Sequence, residues 1–191
     1  MLSSIHPFGE RARQQNYSLT VMAYMLGTVA GGLVLGGALA IIAIPIPSTP
    51  ITSMLALFVL LGYAIWDLTG RRVPSLERQV DETWLSRYRG WVYGVGYGFQ
   101  LGIGFATFVK SALTYGFALA AVLSGSPSVA LGSGLLFGLT RGLSILSTSK
   151  ISSPTELRSF FDALTRSSTV VKRAGALAVI TGAALGLVVL A

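Results

Sequence analysis

Four long apolar stretches set the pattern of this chain: residues 18–45, 51–70, 91–147 and 174–191, separated by short segments that hold most of the charge. About 20 apolar residues in a helix cover the roughly 30 Å hydrocarbon core of a bilayer. The apolar runs do not alternate with polar residues, which argues against a β-barrel. The pattern predicts an all-α integral membrane protein with about five transmembrane helices, at residues 19–44, 51–68, 90–124, 128–146 and 171–190. Two amphipathic interfacial helices are expected at residues 74–88 and 154–167. Residues 1–17 read as a polar cytoplasmic head, and residues 18–191 as a single polytopic membrane domain.

The boundaries have local causes. The first span runs into Pro45-Ile46-Pro47-Ser48-Thr49-Pro50, which cannot continue a helix. Gly125-Ser126-Pro127 marks a second turn. The block at residues 90–124 would be roughly 52 Å long as one straight helix. It must therefore tilt, protrude or break, and its glycines and Lys110 favour a break. Leu76, Val80, Trp84 and Tyr88 form a narrow apolar stripe on the first interfacial helix. Ser153-Pro154-Thr155-Glu156 reads as a capping box opening the second, whose Leu157, Phe160, Phe161 and Leu164 share one face. The order of long Gly-rich helix, Pro-containing turn, second span and amphipathic segment occurs at residues 18–89 and recurs at 90–168, an outline of an internal repeat.

Composition supports the membrane reading. Of 191 residues, 52% are hydrophobic and 11% charged, where soluble domains carry about 25% charged residues. Mean hydropathy is +0.70. The net charge of +7 would suggest nucleic acid in a soluble protein. Here the basic residues fall in connectors, where they favour the cytoplasmic side and anionic lipid heads. The connections near Pro47 and Ser126 carry no Lys or Arg and should face outward. Five spans then place the N-terminus inside and the C-terminus outside a membrane expected to be the bacterial cytoplasmic (inner) one. The polar start of the chain does not read as a secretory signal peptide, so the first span is expected to be retained.

Candidate chemistry is sparse. There is no cysteine, and His6 lies outside every apolar stretch. Thiol redox chemistry, iron–sulfur clusters and a Ser–His–Asp triad are excluded, and no metal site is expected. Lys110, Arg141, Asp67 and Gln100 are the polar residues inside apolar segments and form the candidate intramembrane site. Asp67 and Arg141 sit near the same ends of their spans and could pair. Small residues four apart let membrane helices approach closely. Gly27, Gly31, Gly32, Gly36, Gly94, Gly98, Gly102, Gly134, Gly138 and Gly142 have that spacing and are the expected packing faces, within the chain or against another subunit. Tyr93, Tyr97, Phe99, Phe105, Phe108 and Tyr115 could pack within the protein or line a site for a flat apolar ligand. No cofactor is evident, though a bound lipid, quinone or pigment fits such a surface.

Three runs carry a resemblance: Gly96-Tyr-Gly-Phe-Gln-Leu-Gly-Ile-Gly-Phe-Ala-Thr-Phe-Val-Lys, Leu123-Ser-Gly-Ser-Pro and Phe137-Gly-Leu-Thr-Arg-Gly-Leu. Residues 90–147 resemble the transmembrane domain of cytochrome c biogenesis and thiol–disulfide electron carriers, within a clan that includes LysE-type exporters. The resemblance implies a Gly-rich helix, a broken region, a small-residue turn and a Gly-containing span. The reactive cysteines of that family are absent, so thiol electron transfer is not carried over, nor is any functional residue.

The expected function is that of a non-catalytic membrane subunit or accessory protein packing through its glycine faces against a membrane partner complex or another copy of itself. The alternative is a small-solute transporter or exporter with its site at the break in the third span. The bilayer is the expected partner in either case, and nucleic acid is not.

Overall fold

The computed structural model describes residues 5–71, 73, 83–104 and 111–190. Among these, the ordered elements are all helical: α1 (Pro7–Ala12), α2 (Tyr17–Ala43), α3 (Pro50–Leu68), α4 (Trp84–Arg87), α5 (Gly90–Ile103), α6 (Leu113–Leu123), α7 (Pro127–Leu143), a 3-10 turn (Ser144–Thr148) and α8 (Pro154–Leu190). Four are long and apolar enough to cross a bilayer: α2, α3, α7 with its 3-10 extension, and α8.

Local chemistry starts and stops them. Pro50 opens α3, and Thr49 caps it by accepting from the Thr52 amide at 3.2 Å while Thr52 Oγ1 accepts from the Thr49 amide at 3.0 Å. Ser153 Oγ accepts from the Glu156 amide at the start of α8, and Glu156 reaches back to the Ser152 amide at 2.7 Å. Helix α5 stops because Gly104 takes φ +76°, a sparsely populated conformation that costs a side-chain-bearing residue about 1–3 kcal/mol. The Phe137 ring also lies where a Gly104 side chain would be.

The chain forms two compact units. The first holds residues 1–35, 76–108 and 135–164; the second holds residues 36–75, 109–134 and 165–191. In the first unit, α2 and α5 run parallel with backbones in contact. A methyl group on Gly94, Gly98 or Gly102 would meet the carbonyl oxygen of Thr20, Tyr24 or Thr28 respectively. Reciprocally, Gly27 and Gly31 lie against the carbonyls of Val95 and Phe99. Gly138 and Gly142 of α7 meet the same α2 helix at Thr28, and Gly138 also at Gly32. Ile5, Val21, Tyr24, Tyr93, Tyr97 and Ile145 form the side-chain core beside these contacts. In the second unit, Gly36 approaches Leu131 and Gly134, α3 packs along α6, and Gly116 receives the Tyr63 ring. The turn at Gly125, with φ +63°, closes against Ile46 and Pro47.

Several expectations change. The apolar block at 90–124 holds two helices, α5 and α6, in keeping with the break its glycines suggest, and Lys110 lies outside the described residues, as do Phe105 and Phe108. Of the interfacial helix expected at 74–88, residues 74–82 lie outside the described residues, and only Trp84–Arg87 of the rest is helical. The helix at 154–167 and the span at 171–190 are one continuous helix, α8, of 37 residues. No proline or glycine interrupts residues 155–174, and the polar Ser167-Ser168-Thr169 breaks the apolar pattern without breaking the backbone. Leu157, Phe160 and Phe161 are half-buried on α8 and Leu164 is exposed.

Candidate functional site

Two buried carboxylates and one half-buried guanidinium organise the polar chemistry of the described residues. Each lies within a single unit.

Glu10 is fully buried in the first unit. Its carboxylate accepts from the Tyr93 hydroxyl at 2.6 and 2.7 Å and from Thr20 Oγ1 at 2.8 Å, and it pairs with Arg13 Nη2 at 2.6 Å. Burial opposes the charge on Arg13, but its hydrogen bond and ion pair with Glu10, with Tyr93 beside them, outweigh that and hold its pKa above the usual arginine value. Gln15 Oε1 accepts from the Gly90 amide at 2.9 Å, and Thr148 Oγ1 donates to the Ile5 carbonyl at 3.1 Å. His6 Nδ1 caps α1 by accepting from the Gly9 amide at 3.0 Å. The polar segment at the start of the chain is thus joined to the first turns of α2 and α5 and to the 3-10 turn, with Ile5, His6 and Glu10 all buried.

Asp67, near the end of α3, plays the matching part in the second unit. It accepts from Ser111 Oγ, from the Ala112 amide at 2.8 Å and from the Leu113 amide at 3.2 Å, and it pairs with Lys172 of α8 at 3.1 Å. The amides at the start of α6 have no intrahelical partners, and the carboxylate satisfies them where the helix dipole favours negative charge. One side chain therefore binds three helices together.

Arg141 lies in the first unit, over the Phe137 ring at 4.8 Å, with Nη1 donating to the Leu101 carbonyl at 3.4 Å. The pairing of Asp67 with Arg141 anticipated from their depth is replaced by Asp67 with Lys172. Gln100 is half-buried on α5. Tyr93 and Tyr97 are core residues rather than an open ligand-lining surface. Among the described residues no three His, Asp or Glu side chains gather as a metal site would require. Both buried carboxylates are saturated by donors, so they serve as fasteners between elements. Glu10, Thr20, Tyr93 and Lys172 are not legible as partners in the sequence: no periodicity links a residue in a short polar leader to one some 80 positions away.

The chain is similar to methylamine utilization proteins. It is 30% identical over 151 residues to methylamine utilization protein MauF of Paracoccus versutus, covering 75% of this chain and 55% of that protein. The same-named protein of Paracoccus denitrificans is 33% identical over 151 residues, covering 75% and 54%. That of Methylobacillus flagellatus is 31% identical over 121 residues, covering 60% and 43%. The chain spans about half the length of the curated relatives it matches. No family model matches it, and no solved structure does.

These matches correct two expectations. The resemblance to thiol–disulfide electron carriers rested on glycine spacings at residues 90–147, which any close-packed helix pair in lipid produces. The relatives bear the name of a different system, and no family model supports the carriers. A subunit docking on a partner through its glycine faces is overturned as well, together with the exporter alternative. The relatives are named for methylamine utilization and not for transport. The faces of Gly27, Gly31, Gly98, Gly102 and Gly138 are already filled by the chain's own backbone.

Proposed function

We propose that this chain is a membrane-embedded accessory protein of methylamine utilization. The observation that carries this reading is similarity over 151 residues to proteins named for that process. It is not itself an enzyme; in support, the two described buried carboxylates are fully engaged in joining helices. It acts with other proteins of the same process.

The helices lie in the bacterial cytoplasmic membrane. Large side chains such as Met22, Leu26, Ile41, Phe58, Leu185 and Val189 are exposed on α2, α3 and α8, which suits lipid and would be a liability in water. At 1.5 Å per residue, α5 and α6 are roughly 21 and 17 Å long, so neither crosses a core of about 30 Å alone. Arg87, Arg89, Lys150 and Arg158 lie in or beside connectors of the first unit, which favours the cytoplasm for those connectors.

Deleting the gene from its own bacterium tests the functional reading. Growth with methylamine as sole nitrogen source should be lost, growth on ammonium should be unchanged, and a plasmid copy should restore the former. Unimpaired growth on methylamine would overturn the reading.

A further inference from the structure

We infer that the junction between α4 and α5 is a binding surface for anionic phospholipid headgroups; this rests on the membrane reading above. Three observations converge on it. First, the junction carries cations interleaved with aromatics, in the run Arg87-Tyr88-Arg89-Gly90-Trp91. Arg87 and Arg89 are exposed, as are Tyr88 at 45% and Trp91 at 50%. Aromatic rings of this kind sit at the headgroup level, with cations beside them at the lipid phosphates.

Second, the junction is held rigid. Tyr88 and Arg89 are extended, with φ −121°, ψ 160° and φ −67°, ψ 153°, so successive side chains point to opposite sides. The Gly90 amide is fixed by Gln15 Oε1. Trp84 stacks on Tyr97 at 6.1 Å and meets Tyr88 edge-on at 5.8 Å. The two arginines are presented from a fixed backbone rather than from a free loop, which reduces the ordering cost of binding.

Third, the charge on this unit is not cancelled by its described acids. Glu10 is buried and held by Arg13, Thr20 and Tyr93. Glu156 is engaged with the Ser152 and Ser153 backbone and hydroxyl groups, and Asp162, exposed on α8, is the remaining described acid of this unit. Arg11 and Lys150 add to the exposed cations. Among the described residues the ion pairs are Arg13 with Glu10 and Lys172 with Asp67, and neither involves Arg87 or Arg89. A phosphodiester carrying one negative charge matches the planar donors of arginine.

The test uses the full chain in nanodiscs holding equal amounts of phosphatidylcholine and phosphatidylglycerol. Lipid retained on the protein is read by native mass spectrometry. Phosphatidylglycerol should be enriched over phosphatidylcholine, on the order of fivefold for each arginine engaged. Arg87→Gln with Arg89→Gln should lose that enrichment while incorporating normally. Incorporation without enrichment, or enrichment that persists in the double variant, would overturn the inference and leave the membrane reading standing. Failure to incorporate into nanodiscs of either lipid would overturn the membrane reading itself.

Discussion

Gly98 of α5 faces the carbonyl oxygen of Tyr24 on α2 so closely that a single added methyl group would strike it. The contact repeats one turn on, where Gly102 meets the Thr28 carbonyl. The rigid obstacle is main chain, so no rotamer change relieves it. Gly98→Ala should force α2 and α5 apart and cost about 1–3 kcal/mol, read as a lower unfolding midpoint in detergent. Gly37→Ala and Gly132→Ala are the contrast, because nothing lies within 4 Å of either position. These should be neutral or stabilising, by about 0.5–1 kcal/mol from helix propensity. Equal effects at all three sites would show that backbone contact is not what Gly98 provides.

The glycine spacing is legible in the sequence, because close approach demands small residues at fixed intervals. What spacing does not encode is the partner. The stripe on α2 is met by α5 on one face and by α7 near Thr28, so these glycines serve contacts within the chain. The apolar lengths of α2 and α3 are equally legible. The continuity of α8 through Ser167-Ser168-Thr169 is not, since a polar stretch resembles a helix end even where no Gly or Pro supplies one. The break after α5 can be located from sequence only as far as its glycines. Gly104 is the one of them whose φ turns positive.

Glu10→Ala should detach the start of the chain from α2 and α5. It would leave the Arg13 guanidinium and the Tyr93 hydroxyl facing a buried gap, a loss on the order of 3 kcal/mol. Tyr93→Phe removes one donor of three and should cost about half as much. Hydrogen exchange over residues 5–16 is the direct readout, with faster exchange in both variants and the larger change in Glu10→Ala. Unchanged exchange would mean that the segment is held by something other than this carboxylate.

Asp67 separates two contributions that usually travel together. Asp67→Asn keeps one acceptor oxygen, enough for the Ser111 hydroxyl and the Leu113 amide, but discards the oxygen that serves the Ala112 amide and the ion pair with Lys172. Asp67→Ala discards both oxygens. The alanine variant should be the less stable by about 1–2 kcal/mol. Lys172→Ala should be milder than Asp67→Asn, because Ser111, Ala112 and Leu113 still satisfy both carboxylate oxygens. If Lys172→Ala were as damaging as Asp67→Ala, the ion pair rather than the capping of α6 would be the principal fastener.

Gly104→Ala should destabilise the end of α5 by about 1–3 kcal/mol from its positive φ alone, with crowding of the Phe137 ring adding to it. Measured against Phe137→Ala alone, adding Gly104→Ala should cost only the backbone part, the crowding part being recovered. Full recovery in the double variant would mean that the backbone conformation carries no cost.

The absence of cysteine from this sequence makes the proposed membrane arrangement directly measurable. Single variants Ser48→Cys and Ser128→Cys sit at the uncharged ends of the helices, and Ser86→Cys and Ser152→Cys among the arginine- and lysine-bearing connectors, all four at exposed positions. A membrane-impermeant maleimide applied to intact spheroplasts should label positions 48 and 128, and should reach 86 and 152 only after permeabilisation. Labelling of 86 and 152 in intact cells, or recovery of the unlabelled protein in the soluble fraction, would contradict a chain whose helices cross the bilayer with their cationic ends in the cytoplasm.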